Sequence, residues 1–159
     1  MNSIKVMNPM TLQWDEIKYE EPTNTTPALN SDYHFHIDGS YEKNSGIGSW
    51  GCVMVNGEFV VESSGRVPLA NLGNTWNVGA ELYCVEMVIN YCKAHDIRRI
   101  TIHYDYDGVE KWATSKWKTN NSITKDYATR VKDCGITITW VHDDSSYRKR
   151  THVLANMAR

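Results

Sequence analysis

Three acidic residues occur where their neighbours make a carboxylate unusual. Asp38 ends the alternating segment 34–38, Asp105 ends the apolar segment 99–105, and Glu81 opens a segment with apolar residues at helical spacing. A carboxylate on a buried stripe is costly unless it is paired or bound to metal. Because oxygen donors from three separate elements suit a hard divalent cation, we predict that Asp38, Glu81 and Asp105 converge on a metal site.

The elements that position these acids follow from the hydrophobic periodicity of the chain. It predicts strands at 34–38, 50–55, 58–64, 99–105 and 136–141, and helices at 81–93, 108–117, 121–134 and 150–159. Asn56-Gly57 is typical of a two-residue hairpin turn. This order predicts an α/β fold with one five-stranded mixed sheet flanked by helices, in which the first three strands are antiparallel and the last two run parallel to the first.

The beginning of the chain differs in composition from the rest. Residues 21–30 are polar and rich in turn-forming types, so they are predicted to be a linker, and residues 12–19 to form a short strand or a docking arm. We therefore divide the chain into an N-terminal extension, residues 1–30, and one domain, residues 31–159. This length is ordinary for a single domain.

Composition limits the classes of function. The net charge is −2, so any binding to nucleic acid must depend on a local basic patch or on bound cations. No apolar run is long enough to span a membrane, and no secretory signal is visible. The cysteines form no Cys-x-x-Cys pair and are predicted to be buried thiols: Cys52, Cys84, Cys92 and Cys134. We expect a cytoplasmic protein, with a monomer favoured.

The segments around the three acids resemble the motifs of the type 1 ribonuclease H family. Asp38-Gly-Ser is followed by Asn44 and a glycine-rich turn, Asn77 precedes Glu81, and Asp105 closes a strand. The resemblance covers residues 33–159. The run 104–118 is similar to the branch of the family found beside viroplasmin-type, hybrid-binding domains.

The resemblance implies an endoribonuclease that cleaves the RNA strand of RNA/DNA hybrids with two Mg²⁺ or Mn²⁺ ions. It implies that Asp38 bridges both ions, that Asp105 holds the ion that activates water, and that Glu81 holds the ion at the leaving oxygen. Minor-groove contacts to 2′-hydroxyl groups are expected from the loops: Gly39, Ser40, Asn44 and Asn77. Lysines beside Trp112 and Trp117 are expected to contact phosphates of the DNA strand: Lys116 and Lys118, with Lys111.

The last helix departs from the family pattern. That pattern resembles Asn-x-x-x-Asp-x-Leu-Ala and carries a fourth acid; counting back from Ala158-Arg159 places Ala155 at the acidic position. The histidine of the family's mobile loop is matched only loosely. The candidates for the missing ligand or loop histidine are Asn156, Asp144 and His142, with Asp143 as a further acid. We therefore expect slow or Mn²⁺-favoured cleavage.

Two other functions remain open from the sequence. His34, His36 and Asp38 lie on one face of a strand, since side chains alternate, and imidazole with carboxylate suits zinc; this pattern predicts a zinc metallo-hydrolase. Alternatively, a ribonuclease H-like domain without its fourth acid is a catalytically impaired module that binds nucleic acid or docks on a protein. The three retained acids favour the enzyme over the module.

Overall fold

The N-terminal part of the chain contains a small hairpin. The computed structural model describes residues 2–7, 14–19, 31–143 and 147–159. Strand β1 (Asn2–Met7) pairs antiparallel with β2 (Trp14–Tyr19), and Ile4 lies opposite Ile17. The sequence predicted a short strand near residues 12–19 but not its partner. The predicted linker, residues 21–30, lies outside the described residues.

A five-stranded mixed sheet forms the centre of the domain. Its strand order is β5-β4-β3-β6-β7. Strands β3 to β5 are antiparallel neighbours, whereas β6 and β7 continue the sheet parallel to β3. This arrangement confirms the predicted fold class. The strands are β3 (His34–Glu42), β4 (Ile47–Asn56), β5 (Phe59–Val67), β6 (Arg99–Tyr104) and β7 (Thr137–His142).

In the described residues, five helices accompany the sheet: α1 (Leu69–Leu72), α2 (Asn77–Ala94), α3 (Gly108–Ala113), α4 (Ser122–Lys132) and α5 (Tyr147–Met157). Helix α1 was not predicted, because a single turn is too short to show periodicity. Gly79, expected in a loop, lies inside α2, where a Cβ atom would collide with the Thr75 hydroxyl. None of the helices in the described residues is long and apolar enough to cross a membrane.

The two faces of the sheet carry different side chains. Phe35 and Ile37 of β3 belong to the main hydrophobic core, which the long helix α2 shares. Because side chains alternate along a strand, His34, His36 and Asp38 point to the opposite face. Helix α5 contacts β3, β4 and β5 and covers this second face. The candidate acids of β3 and β6 therefore lie on the α5 side.

Two glycines allow the helices to approach the sheet closely. A Cβ atom on Gly39 would lie 2.7 Å from the Asn77 carbonyl oxygen and closer still to the Glu81 amide nitrogen. A Cβ atom on Gly51 of β4 would lie 2.7 Å from the Ala155 amide nitrogen, again within α5 backbone. Only glycine allows such contact. The first contact positions Glu81 and the second positions the last helix.

The cysteines confirm the prediction that they are buried thiols. All four are free and buried. Burial raises the pKa of Cys92 to about 12, with a smaller contribution from the Cys52 and Cys134 thiolates. Burial also raises the pKa of Cys84 well above its usual range, and its Sγ donates to the Gly51 carbonyl oxygen.

We expect Gly51→Ala to lower the free energy of unfolding by about 2–3 kcal/mol, because the added methyl group must push α5 away from β4. Gly135→Ala is the control. Its Cβ atom would meet no atom within 4 Å, and only its φ of +74° is unfavourable for alanine, which costs about 1–2 kcal/mol. Urea unfolding of both variants measures the difference. A smaller loss for Gly51→Ala than for Gly135→Ala would show that α5 shifts freely.

Candidate active site

Asp38 lies in the middle of β3 with its carboxylate on the α5 face. Its Oδ1 accepts the Gly39 backbone N–H at 2.9 Å, and its Oδ2 lies 3.0 Å from Nδ1 of His152. Burial raises the pKa of Asp38, the His152 and Gly39 hydrogen bonds oppose that shift, and the charge of Asp105 adds to it. Asp38 is thus a partly desolvated carboxylate that faces both another acid and a histidine.

Glu81 is the most buried of the three acids, with 4% of its surface exposed. It lies in the first turns of α2, where the close contact with Gly39 holds it beside the sheet, and its Oε1 accepts the Asp105 backbone N–H at 3.1 Å. Burial raises the pKa of Glu81 to about 8, and the charges of Asp38 and Asp105 also raise it. Without a cation, Glu81 is therefore mostly protonated at neutral pH.

Asp105 directly follows β6 and is the most accessible of the three, with 39% of its side chain exposed. Its Oδ1 lies 2.8 Å from Nη2 of Arg148. Its charge acts on both Asp38 and Glu81. Carboxylates from β3, α2 and the end of β6 thus lie within electrostatic reach of one another, and their oxygens are the donors that Mg²⁺ and Mn²⁺ prefer.

Helix α5 places a row of polar side chains beside the three acids. Arg148, His152 and Asn156 recur every four residues, so they share one face of α5. Arg148 pairs with Asp105, His152 with Asp38, and the Asn156 Oδ1 accepts the Ser40 hydroxyl at 2.9 Å. Two cationic or potentially cationic groups therefore already partly neutralise the acids.

His152 is the residue near the site that the sequence analysis missed. Counting from Ala158 placed Ala155 at the acidic position, but Ala155 is fully buried and its carbonyl accepts a hydrogen bond from Ser49. The signal was present: matching Leu154-Ala155 to the end of Asn-x-x-x-Asp-x-Leu-Ala puts His152 at the acidic position and Arg148 at that of the asparagine. The structure agrees with this second alignment, since His152 contacts Asp38.

The other candidates for a fourth ligand lie elsewhere. His142 ends β7, where its Nε2 is 3.8 Å from Oδ1 of Asp107 and its ring packs edge-on against Tyr104. Asn156 contacts Ser40, one same-face position beyond Asp38. Asp143 is buried against His36 at 3.0 Å. Asp144 lies outside the described residues.

The residues expected to bind substrate are placed in two regions. Gly39 and Ser40 follow Asp38 on β3, and Asn77 opens α2 beside Gly39. Asn44 is exposed in the β3–β4 turn, where its N–H donates to Glu42. Gly39 and Asn77 thus lie beside Glu81, whereas Asn44 lies beyond the far end of β3.

The predicted lysine and tryptophan patch forms an open groove beside α3 and α4. Trp112, Trp117 and Lys118 line it together with Lys125 and Lys132 of α4. Lys111 places its Nζ 5.1 Å from the centre of the Trp117 ring, a cation–π distance. Lys116 points elsewhere, with its Nζ 4.0 Å from Glu110.

Comparison with known proteins identifies the fold. No family model and no curated protein matches the chain. Solved structures do match. Ribonuclease H1 from the halophilic archaeon Halobacterium salinarum is 25% identical and has a TM-score of 0.64 over 80% of this chain and 96% of its own. LC11-RNase H1, isolated from compost by a metagenomic approach, is 17% identical with a TM-score of 0.67 over 81% and 96%.

A further match extends the comparison. The N-terminal RNase H domain of Rv2228c from Mycobacterium tuberculosis is 17% identical with a TM-score of 0.64 over 80% of this chain and 98% of its own. The chain therefore has the ribonuclease H-like fold. Two of these matching structures are named ribonuclease H1, which confirms the type 1 ribonuclease H resemblance predicted from the sequence.

We expect Glu81→Gln to stabilise the metal-free protein above pH 5. The folded-state pKa of Glu81 is raised from 4.5 to about 8, so wild-type stability falls as pH rises between these values, while the neutral amide avoids that loss. The gain at pH 8 should approach about 4 kcal/mol, because each tenfold change in the dissociation constant of the acid corresponds to about 1.4 kcal/mol. Urea unfolding from pH 5 to 9 measures it.

The control for this prediction is Glu58→Gln, an exposed acid in the β4–β5 turn, which should follow the wild-type pH profile. Equal dependence of stability on pH for wild type and Glu81→Gln would contradict the conclusion that burial raises the pKa of Glu81. Addition of Mg²⁺ should flatten the wild-type profile, because a bound cation favours the ionised carboxylate.

Proposed function

We propose that this protein is an endoribonuclease that cleaves the RNA strand of RNA/DNA hybrids by two-metal-ion phosphodiester hydrolysis. One observation carries the proposal: a deeply buried glutamate, Glu81, is held beside two strand carboxylates on a ribonuclease H fold. The LC11-RNase H1 match, whose complex with an RNA/DNA hybrid is also known, has a TM-score of 0.66 to this chain.

The three acids would hold the ions. Asp38 would bridge two Mg²⁺ or Mn²⁺ ions, with Asp105 and Glu81 each holding one. Divalent ions held by these residues would supply Lewis-acid chemistry, lowering the pKa of water and stabilising negative charge on the leaving oxygen, and the expected products would carry 3′-hydroxyl and 5′-phosphate ends. A cation bound beside Glu81 would favour its ionised form, since an opposite charge lowers the pKa of a carboxyl group.

The remaining residues orient the substrate. Backbone groups at Gly39 and Ser40, with Asn44 and Asn77, would contact the 2′-hydroxyl groups of the RNA strand in this proposal. The groove of Trp112, Trp117 and Lys118 supplies aromatic faces and positive charge for the backbone of the other strand. Because the net charge is −2, binding would depend on this local patch or on the bound cations.

His152 sets the metal preference in this proposal. It occupies the place where the family pattern has an acid, so one ion faces an imidazole instead of a carboxylate. Mg²⁺ prefers oxygen ligands, whereas nitrogen donors suit transition metals better. This difference supports slow cleavage in Mg²⁺ and faster cleavage in Mn²⁺.

A second function, a nucleic-acid-binding or docking module, has one observation in its favour. Arg148 and His152 already pair with Asp105 and Asp38 at 2.8 and 3.0 Å, so the acids have protein counter-ions without metal. In such a module Arg148 and His152 of α5 stay paired with the acids. The experiments below separate the two functions.

We expect Asp38→Asn to abolish hybrid cleavage in both Mg²⁺ and Mn²⁺, because it removes the bridging carboxylate, while affinity for the hybrid stays equal or rises as repulsion of phosphate falls. Gel assays of a labelled hybrid measure cleavage, and polarisation measures binding. Asp96→Asn, which changes an exposed acid paired with Arg98, is the matched control. Binding by wild type without cleavage in either metal would favour the docking module.

We expect His152→Asp to lower the Mg²⁺ concentration needed for half-maximal cleavage by about tenfold or more, because a fourth carboxylate completes the oxygen donors. His152→Ala is the control, since it removes the imidazole without adding a ligand. Titration of cleavage rate against Mg²⁺ and Mn²⁺ compares the three proteins. Identical Mg²⁺ dependence of His152→Asp and His152→Ala would contradict a role for this position at the metal.

A further inference from the structure

A second group of potential ligands lies on the same face of the sheet as the acids. His36, His103 and Asp143 each offer one ligand atom, and these atoms all lie within 4.8 Å of one another. In the part of the chain that the structure describes, this is the one such group of three or more histidine, cysteine or acidic residues. The trio His34, His36 and Asp38, considered from the sequence, does not form such a group.

The register of the sheet creates this group. His36 of β3 pairs with His103 of β6, and their rings stack with centroids 4.1 Å apart and 15° between planes. Asp143 follows β7, the next strand along, and donates its N–H to the Tyr104 carbonyl oxygen at 2.6 Å. Its Oδ2 lies 3.0 Å from Nδ1 of His36. Three neighbouring strands therefore each contribute one donor.

Burial distinguishes this group from an ordinary surface cluster. His36 is 4% exposed and Asp143 is 1% exposed, and the Tyr147 ring packs 4.7 Å from that of His36. Nδ1 of His34 lies 2.8 Å from Nε2 of His103, and Nε2 of His34 lies 2.9 Å from Oδ1 of Asp32. Outer hydrogen bonds of this type fix the ring orientation of metal-bound histidines.

We propose that His36, His103 and Asp143 form a binding site for a transition-metal ion of the Zn²⁺ class, separate from the carboxylate site. Two imidazoles and one carboxylate are a common zinc donor set, with bonds of about 2.0–2.2 Å. Tetrahedral ligands at that length lie about 3.3 Å apart, and the three ligand atoms lie within 4.8 Å of one another. Water takes the fourth position.

The proposed zinc site lies next to Asp38 and Asp105 along the strands. His36 precedes Asp38 by two residues on β3, and His103 precedes Asp105 by two residues, so each ligand and each acid are successive same-face neighbours. Two residues of strand span about 6.6 Å. An ion held here ties β3, β6 and the end of β7 together directly beside the acids, and its role is structural.

Metal analysis and the visible spectrum of the Co²⁺-substituted protein test the proposal without substrate. Wild type should retain one Zn²⁺ per chain after dialysis, show the intense absorption of tetrahedral Co²⁺, and melt about 5 °C or more higher with Zn²⁺. Glu81→Gln, which alters the carboxylate site, should keep all three properties. His103→Gln should lose them, whereas His95→Gln, a histidine at the end of α2, should not.

The outcomes separate this site from the proposed nuclease. Retention of no Zn²⁺ by wild type, or a Co²⁺ spectrum unchanged in His103→Gln, overturns the zinc site whatever the cleavage assays show. Circular dichroism checks that His103→Gln is folded; should it unfold, Asp143→Asn and the wild-type Co²⁺ spectrum decide. Loss of the spectrum in Glu81→Gln but not in His103→Gln would assign the ion to the carboxylates and also overturn the proposal.

Discussion

The burial of negative charge beside β3 is the constraint on which the rest of the structure depends. Gly39 allows the first turn of α2 to touch the strand, and that contact carries Glu81 to within a hydrogen bond of the Asp105 backbone. The cost appears as the raised pKa of Glu81 and of Asp38. A carboxylate is tolerated in such surroundings when protons, protein cations or metal ions balance it.

Helix α5 supplies the protein cations. Its contact with Gly51 brings the stripe of Arg148, His152 and Asn156 over the acids. Arg148 and His152 are both at least half exposed, so they can move aside at little cost, whereas Glu81 cannot. The site therefore combines one rigid, buried acid with mobile counter-ions on its outer side, an arrangement that permits exchange of a protein cation for another cation.

The sequence predicted the sheet well because alternation and helical spacing are local signals. It also singled out the three acids as candidates, since each stands out against apolar neighbours on its own element. The parts that it missed depend on long-range contacts. Asp143 meets His36 across 107 positions of sequence, and His152 meets Asp38 across 114. His103 was not predicted as a ligand, because its position beside His36 depends on the register between β3 and β6.

The last helix shows how one alignment choice changes the result. Counting from the end of the chain placed Ala155 at the acidic position. Aligning the buried pair Leu154-Ala155 with the Leu-Ala of the family pattern places His152 there instead. Both residues are buried, as a helix face against a sheet requires. Phase along a helix is therefore better judged from its buried residues than from its end.

The buried cysteines give this domain a natural reporter of its own opening. Cys52, Cys84, Cys92 and Cys134 are inaccessible, and burial disfavours the thiolate of Cys84 and Cys92. Because only an exposed thiolate reacts with alkylating reagents, labelling of these side chains requires the core to open. The rate of modification then follows the population of open molecules. The effect of a bound ion on opening of the domain can therefore be measured without an introduced probe.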